Sequence, residues 1–304
     1  MHDVIIVGAG PAGMTAAVYT ARKKLDTMLI GKEWGGQVAQ AGTLENYMGF
    51  QYVPGSDLMK KFEEQVAQYP VERVEGEVVS AGGQGGNLTI NTKEGQKYSA
   101  KSLIIASGKQ PRWLNVPGEK EFIGRGVSYC AVCDAPLFQN MKVAVIGGGN
   151  SAISAAYDLI RIAEHIYVVS LEEWISDPLL TDKVKDAPNL TKMVGYETVS
   201  INGDQTVKNL VVRSIANPAE NTTLDVQGVF IEIGTVPTTD FIKNFLKLNQ
   251  RGEIVVDCSC HTSVPGVYAA GDVSSVPEKQ VIVAAGEGAK AGLGAFQYIL
   301  SNAN

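Results

Sequence analysis

Near the start of the chain stands Val4-Ile5-Ile6-Val7-Gly8-Ala9-Gly10-Pro11-Ala12-Gly13, and the predicted fold follows from it. Its four leading apolar residues are typical of a buried parallel strand, and a helix is expected over residues 14–24. Between strand and helix lies G-x-G-x-x-G, in the setting that makes this pattern informative. Gly8 permits the tight turn, Gly10 lets a pyrophosphate approach the backbone, and Gly13 lets the helix pack on the strand. The stretch predicts a dinucleotide-binding unit rather than an ordinary turn.

Three further segments fit such a unit. A strand expected over residues 27–30 leads to Glu33, about where an acidic residue binds a ribose hydroxyl. Leu103-Ile104-Ile105-Ala106-Ser107-Gly108 is a buried strand that ends in small residues. Gly266-Val267-Tyr268-Ala269-Ala270-Gly271-Asp272 has the same form with an acid at its tip. Asp272 could bind a ribitol hydroxyl, although taken alone a helix cap or turn residue is the simpler interpretation.

A second dinucleotide unit begins at Lys142. The strand Val143-Ala144-Val145-Ile146 leads into Gly147-Gly148-Gly149-Asn150-Ser151-Ala152, which is G-x-G-x-x-A. A helix is expected over residues 153–163 and a strand over 165–169. The chain therefore holds two Rossmann-type units.

Just before the second unit lies Cys130-Ala131-Val132-Cys133-Asp134. Two thiols at this spacing can close a small disulfide that an external thiol can attack. Ala135-Pro136 favours the start of a helix. The N-terminus of that helix would favour the thiolate form of a nearby cysteine, and Asp134 could pass protons when the disulfide opens. Alternatives are two structural cysteines or a zinc half-site completed by Cys258 and Cys260. Two dinucleotide units beside a redox dithiol describe a relay from hydride to disulfide.

Composition limits the possible functions. The net charge of −6 leaves no basic footprint for nucleic acid or an anionic membrane. No apolar run approaches the roughly 20 residues of a membrane span. Four cysteines and no recognisable leader favour a cytoplasmic protein whose thiols react. Cys258 and Cys260, after a strand expected over residues 254–257, are interpreted as structural thiols, because a one-residue gap strains a disulfide.

Over essentially its whole length the chain resembles the low-molecular-weight thioredoxin reductases. Within that group it is most similar to the reductase portion of the flavoprotein subunit of alkyl hydroperoxide reductase. Besides the two glycine runs, the cysteine motif and the segment ending at Asp272, the matching segments are Gly35-Gly36-Gln37, Glu45-Asn46-Tyr47, Asn115-Val116-Pro117-Gly118-Glu119, Lys279-Gln280-Val281 and Gly286-Glu287-Gly288-Ala289-Lys290-Ala291.

The resemblance implies an α/β fold with two Rossmann-like, three-layer ββα dinucleotide-binding domains. An FAD domain would occupy residues 1–111 and 239–304, and a nicotinamide domain carrying the cysteine pair would be inserted at 112–238. Residues 109–112 and 234–237 read as two linker strands. The family implies a homodimer in which the inserted domain rotates.

The resemblance also implies the roles of the site residues. Cys133 would be the sulfur nearer the flavin, Cys130 the nucleophile towards the partner, and Asp134 the acid. FAD contacts are expected at Gly8, Gly10, Pro11, Ala12, Gly13, Glu33, Gly36, Gln37, Asn46, Ser107, Gly108, Gly271, Asp272, Gln280 and Val281. The nicotinamide dinucleotide is expected at Gly147, Gly149, Asn150, Ser151, Ala152 and Glu172. No metal site is expected.

The electron donor is the main departure from the relatives that use NADPH. Those relatives grip its 2′-phosphate with a His-Arg-Arg group, where this chain has Ser170-Leu171-Glu172-Glu173-Trp174-Ile175-Ser176-Asp177. Carboxylates here would repel a phosphate, so NADH is expected as the donor and NADPH is disfavoured. Ferredoxin or another reduced carrier is the alternative, although the intact second glycine run argues against it.

The predicted function is that of a cytoplasmic, FAD-dependent protein-disulfide reductase. The peroxide-reductase flavoprotein carries a tandem thioredoxin-like domain before its flavin strand, whereas this sequence opens at that strand. The dithiol is therefore expected to pass electrons to a separate thioredoxin-, glutaredoxin- or peroxiredoxin-linked protein. A non-enzymatic flavin redox sensor is the alternative of another class, and it would not turn over NADH with a disulfide.

Overall fold

A computed structural model of the chain describes residues 1–41, 43–44 and 46–302. Glu45, part of one matching segment, lies outside the described residues. The chain forms two compact units. Unit 1 contains the described residues of Met1–Gln40, Tyr47–Gln110 and Val236–Asn304, and unit 2 those of Ala41–Asn46 and Pro111–Thr235.

Unit 1 is built on a seven-stranded sheet in the order β5-β2-β1-β8-β7-β6, with β19 paired to β8. The pairs among β5, β2, β1, β8 and β19 are parallel, and β6 and β7 form an antiparallel hairpin beside them. The elements of this unit are β1 (His2–Val7), α1 (Pro11–Arg22), β2 (Thr27–Gly31), β4 (Val53–Pro54), α2 (Gly55–Val66), β5 (Val71–Glu75), β6 (Val78–Gln84), β7 (Asn87–Thr92), β8 (Lys97–Ile105), β19 (Val267–Ala269) and α6 (Val281–Ser301).

The side chains of strand β1 are buried on both faces of this sheet. Val4 and Ile6 pack with helices α1 and α6, while Ile5 packs on the opposite face in a second apolar cluster. Successive side chains of a strand point to opposite faces, so a continuous apolar run is buried on both. Helices α1 and α6 lie so close together that an ideal Cβ built on Gly288 would be 2.1 Å from the carbonyl oxygen of Ala12. Glycine at this position therefore permits the close approach.

Unit 2 has three layers. Its five-stranded parallel sheet runs β10-β17-β11-β12-β13, with helices α3 and α4 on one face and the antiparallel sheet β14-β15-β16 on the other. The elements are β3 (Thr43–Leu44), β10 (Val127–Ser128), α3 (Ala131–Asp134), β11 (Lys142–Ile146), α4 (Asn150–Leu159), β12 (His165–Ser170), α5 (Pro178–Val184), β13 (Leu190–Val194), β14 (Tyr196–Gly203), β15 (Val207–Ser214), β16 (Asn221–Asp225) and β17 (Gly228–Ile231).

Most elements lie where the sequence predicts them, with shifted bounds. The linker strands form as β9 (Lys109–Pro111) and β18 (Thr235–Pro237), which pair with each other. Helices α1 and α4 each begin three residues earlier than expected (Pro11 against 14, Asn150 against 153), since each starts directly after a glycine N-cap. The strand predicted over residues 254–257 is wrong: Ile254 makes only isolated bridges, to Leu248 and Ser274, among the described residues.

Within the described ranges, none of the helices combines the length and the apolar character that crossing a membrane requires.

Candidate active site

Cys130 and Cys133 are joined in a disulfide at the start of helix α3, with their Cα atoms 5.3 Å apart. Cys130 is the N-cap residue, and its carbonyl oxygen accepts the N–H groups of Cys133 and Asp134 at 3.1 and 3.0 Å. The helix therefore begins at Ala131, not at Ala135 as the proline suggested; Ala135–Phe138 is a separate 3-10 turn. Because α3 is a single turn of four residues, its dipole is small, and the stabilisation of a thiolate by a helix N-terminus remains an expectation.

Asp134 has the environment of a proton carrier. Its Oδ1 atom is buried and has no hydrogen-bond partner among the described residues. Burial raises the pKa of this carboxyl above its usual value, and Ser128 only partly opposes the shift. The Oγ atom of Ser128 also accepts the N–H of Cys130 at 3.1 Å. A carboxyl with a raised pKa next to the disulfide can hold a proton and deliver it to a thiolate.

Glu232 is a second carboxyl at the cysteine pair, and the sequence reasoning missed it. It follows directly after strand β17, and its Oε1 accepts the N–H of Ala131 at 3.3 Å. Burial raises the pKa of Glu232 to about 7, with a contribution in the same direction from Asp158, while the Ala131 N–H lowers it. Functional groups often follow the carboxyl ends of parallel strands, and this position was the available signal.

The first glycine run forms a cradle in unit 1. Gly8 has φ +111°, and an ideal Cβ on it would lie 2.2 Å from the carbonyl oxygen of Ala106. A Cβ on Gly13 would lie 1.8 Å from the carbonyl oxygen of Gly8, whereas one on Gly10 meets nothing within 4 Å. Helix α1, which starts here, has no side-chain cap and no acid in its first turn. Open space in front of uncapped helical N–H groups fits a pyrophosphate, so these residues suit FAD.

Asp272, the acid at the end of the β19 segment, lies among charges that the sequence did not reveal. Lys109 and Lys279 both approach Oε1 of Glu253, at 2.5 and 3.5 Å, and Glu253 is buried. Burial raises the pKa of Asp272, and the two lysine charges oppose that shift. Burial also lowers the pKa of Lys279, with Lys109 acting in the same direction. These two lysines and two carboxyl groups come from three separate segments of the chain, so no local sequence pattern predicts that they lie together.

The remaining residues expected at FAD lie in both units. Glu33 is exposed and follows shortly after β2. Gly36 lies close to Gly10, because an ideal Cβ atom built on Gly36 would be 3.4 Å from the Cα atom of Gly10. The amide of Gln37 donates to the carbonyl oxygen of Lys109, and the hydroxyl of Ser107 to that of Thr238 at 2.8 Å. Pro11 and Ala12 open α1, Gly108 and Gly271 have φ of +69° and +77°, Gln280 is the N-cap of α6 and Val281 its first residue. Asn46 alone belongs to unit 2.

The second glycine run has the same backbone plan in unit 2. Gly147 has φ +135°, and an ideal Cβ on it would lie 2.5 Å from the carbonyl oxygen of Glu232. Gly149 is the N-cap of α4, faces open space and supports no side-chain cap. Ala152 is fully buried beneath the turn, while Ser151 is exposed. Asn150 accepts the N–H of Asp177 through Oδ1 at 2.7 Å, so it fastens the loop after β12.

A lysine from another strand lies against that loop, and the loop's own sequence does not indicate it. Lys192, from the neighbouring strand β13, contacts Oε2 of Glu173 at 2.6 Å and lies over the ring of Trp174, 4.7 Å from its centre. Its charge is therefore paired. Ser170 is buried and donates to the carbonyl oxygen of Glu172 at 2.8 Å, whereas the Glu172 side chain is exposed.

Cys258 and Cys260 are not joined to each other or to the first pair. Cys258 is exposed, and burial raises the pKa of Cys260 to about 12, which makes it unreactive at neutral pH. No group of three or more His, Cys, Asp or Glu side chains in the described ranges is arranged to hold a metal ion.

Comparison with known proteins gives consistent results. Residues 2–288 match the family model described as pyridine nucleotide-disulphide oxidoreductase. The chain is 39% identical over 306 residues to a subunit of the alkyl hydroperoxide reductase of Escherichia coli, covering 98% of this chain and 58% of that protein. It is 38% identical over 301 residues to a Bacillus subtilis protein named NADH dehydrogenase, covering 99% and 59%. The chain thus spans a little over half the length of these curated relatives.

A solved thioredoxin reductase from Streptococcus pyogenes superposes with a TM-score of 0.94 at 34% identity, covering 99% of both chains. This confirms the predicted α/β fold with two Rossmann-like units.

Proposed function

We propose a function from one premise: the chain belongs to the pyridine nucleotide-disulphide oxidoreductase family. Within it, the chain reduces protein disulfides with electrons from NADH, by way of bound FAD and the Cys130–Cys133 pair. The observation that carries this proposal is the disulfide at the N-terminus of α3, in the same unit as a glycine-rich dinucleotide loop. FAD, when bound, supplies the conversion of a two-electron hydride into dithiol chemistry.

The glycine cradle of Gly8, Gly10 and Gly13 would hold the pyrophosphate of FAD, and the carboxyl of Asp272 a ribitol hydroxyl. In the cycle, the disulfide takes up two electrons and one proton, which Asp134 delivers, and its sulfurs become a thiol and a thiolate. The Cys130 thiolate attacks the partner disulfide and displaces one partner thiolate. Cys133 then returns its proton to Asp134, and its thiolate attacks the Cys130 sulfur of the mixed disulfide, which restores the internal disulfide and displaces the second partner thiolate. The two partner thiolates take up one proton from Asp134 and one from solvent, so the partner leaves as a dithiol.

The loop after β12 supports NADH as the donor. Residues 170–177 contain three carboxylates and no cation, and the nearby Lys192 is paired with Glu173. The exposed carboxylate of Glu172 would accept a ribose hydroxyl and would repel a 2′-phosphate. The name NADH dehydrogenase, carried by one relative, is consistent with this choice.

The electron acceptor is proposed to be a thioredoxin-, glutaredoxin- or peroxiredoxin-linked protein. The names of the relatives, one a thioredoxin reductase and one part of an alkyl hydroperoxide reductase, support this class of partner. We place the enzyme in the cytoplasm, where a free dithiol is maintained, and expect a homodimer. Membership of a family of oxidoreductases sets aside the interpretation as a non-enzymatic sensor.

Anaerobic titration of the FAD-loaded protein tests the donor. NADH is expected to bleach the flavin at equimolar amounts, and NADPH to do so much more slowly. If reduced ferredoxin bleached the flavin and neither nicotinamide did, the proposed donor NADH would be wrong and the donor would be a protein. Failure of the bleached protein to reduce any thioredoxin-like disulfide would overturn the assigned acceptor class.

A further inference from the structure

Glu232 has no role in the mechanism above, although it contacts the element that carries the redox pair. Its carboxyl accepts the N–H of Ala131 at 3.3 Å, and Ala131 follows Cys130 directly in the chain. A carboxylate that accepts this N–H lies one residue along the chain from Cys130, where a thiolate can form. The two anions are therefore expected to disfavour each other.

The surroundings of Glu232 make its protonation responsive near neutral pH. From α4, Asp158 adds negative charge; from α3, the groups that can titrate are Asp134 and the two cysteines. The side chain is largely buried, and burial raises its pKa to about 7. Formation of a thiolate nearby would raise that pKa further, because like charges disfavour each other.

We infer that Glu232 is a positioning residue that couples a proton to the reduction of Cys130–Cys133, so that its carboxyl is neutral when the pair holds a thiolate. This rests on the proposed function, since it takes that pair to be the redox centre. With a dithiol reductant, the pair becomes one thiol and one thiolate and the reductant becomes a cyclic disulfide. Of the two protons that the reductant releases, one goes to a cysteine and the other to the Glu232 carboxylate.

The test is the pH profile of thiolate formation in the FAD-loaded protein. The protein is reduced with dithiothreitol, freed of reductant without oxygen, and alkylated briefly with iodoacetamide between pH 5.5 and 9. Mass spectrometry then gives the alkylation rates of Cys130 and Cys133. The key variant is Glu232→Gln, which keeps an acceptor for the Ala131 N–H but cannot ionise.

The inference predicts a difference that depends on pH. Below about pH 6 the wild type and Glu232→Gln should react at the same rate, because Glu232 is protonated. Above pH 7 the variant should react faster, by up to about tenfold, because one pKa unit is the scale of a nearby like charge. A purely structural role would change the rates equally at every pH.

Two further variants make the result decisive. Asp158→Asn removes a negative neighbour at an exposed position, so Glu232 should ionise earlier and the slowing should begin at lower pH. Glu164→Gln makes the same charge change at an exposed position and should leave the wild-type profile unchanged. If the pH profiles of alkylation for the wild type and Glu232→Gln were the same, the inference about Glu232 would be overturned, whereas the proposed function would stand. A pair that dithiothreitol cannot reduce or iodoacetamide cannot reach would instead overturn the proposed function.

Discussion

Among the three glycines of the first glycine run, Gly10 is the one at which the protein itself leaves room for a side chain. Its φ of −87° suits any residue, and a Cβ built on it meets no described atom within 4 Å. Gly8 and Gly13 differ, because a Cβ on either would collide with backbone oxygen. The fold does not require glycine at this position, whereas the proposed pyrophosphate of FAD would.

Replacing Gly10 by Ala should leave the protein folded and weaken FAD binding by at least about tenfold, or about 1.4 kcal/mol. The added methyl group would occupy the space in which the pyrophosphate approaches the backbone. Flavin fluorescence on titration of the apoprotein measures the affinity.

Gly286→Ala is the matched control, since Gly286 also has free space around its Cβ position but lies on the exposed side of α6. It should bind FAD normally. Normal binding by Gly10→Ala would mean that the pyrophosphate lies elsewhere.

Cys130→Ser and Cys133→Ser should each abolish reduction of a thioredoxin-like disulfide, because a single thiol cannot complete the exchange. Both variants should keep FAD and should still pass electrons from NADH to an artificial dye. The assay compares dye reduction with disulfide reduction in the same preparation. Cys258→Ser, which changes an exposed and unpaired thiol, should retain both activities. Disulfide turnover in either of the first two variants would refute the assignment of the pair.

At the scale of single elements, the loop after β12 is expected to set the choice of nicotinamide. The wild type should prefer NADH to NADPH by at least about tenfold in kcat/KM, about 1.4 kcal/mol, because its carboxylates repel the 2′-phosphate. Leu171 and Glu172 are exposed, so Leu171→Arg with Glu172→Arg should shift the preference towards NADPH.

Ser170 is a poor site for the histidine that NADPH-using relatives carry, because its side chain is buried and hydrogen-bonded to Glu172. Its replacement would disturb the loop itself. Steady-state kinetics with both nicotinamides give the ratio. A wild type that is faster with NADPH would contradict the charge argument.

Elements with a local sequence signature were predictable, and contacts between distant segments were not. Both strand–glycine–helix units follow from local patterns of apolar residues and glycine. Helix α3 starts earlier than its proline suggested, because Cys130 provides the N-cap. Glu232 and Lys192 reach their sites from other strands, so nothing near the cysteines or the loop after β12 in the sequence indicates them.

At the scale of the whole chain, each unit has apolar clusters of its own. Among the described residues, two clusters lie in unit 1 and two in unit 2, and the buried members of each cluster all belong to one unit. The insertion of one unit into the other was an implication of the family resemblance, with which the two expected linker strands agree. The inclusion of the described residues of Ala41–Asn46 in unit 2 was not expected, since it depends on tertiary contacts.

Thermal unfolding should therefore show two transitions, and FAD should raise chiefly that of unit 1, which contains every residue expected at FAD except Asn46. At an FAD concentration 100 times Kd the gain is about 2.7 kcal/mol, which for a unit of this size corresponds to roughly 5–10 °C. Scanning calorimetry with and without FAD measures both transitions, and the fragment 111–235 identifies the one that belongs to unit 2. An equal shift of both would mean that the units unfold together.

The order in which these units appear during synthesis follows from the insertion. All of unit 2 has been synthesised once Thr235 leaves the ribosome, whereas unit 1 still lacks β19 and α6. At about 5–20 residues per second the last segment needs roughly 3–14 s. During that interval the face of α1 that α6 covers is open to water or to a chaperone. A nascent chain stalled before Val281 would therefore expose the apolar face of α1 that packs against α6 in the folded protein.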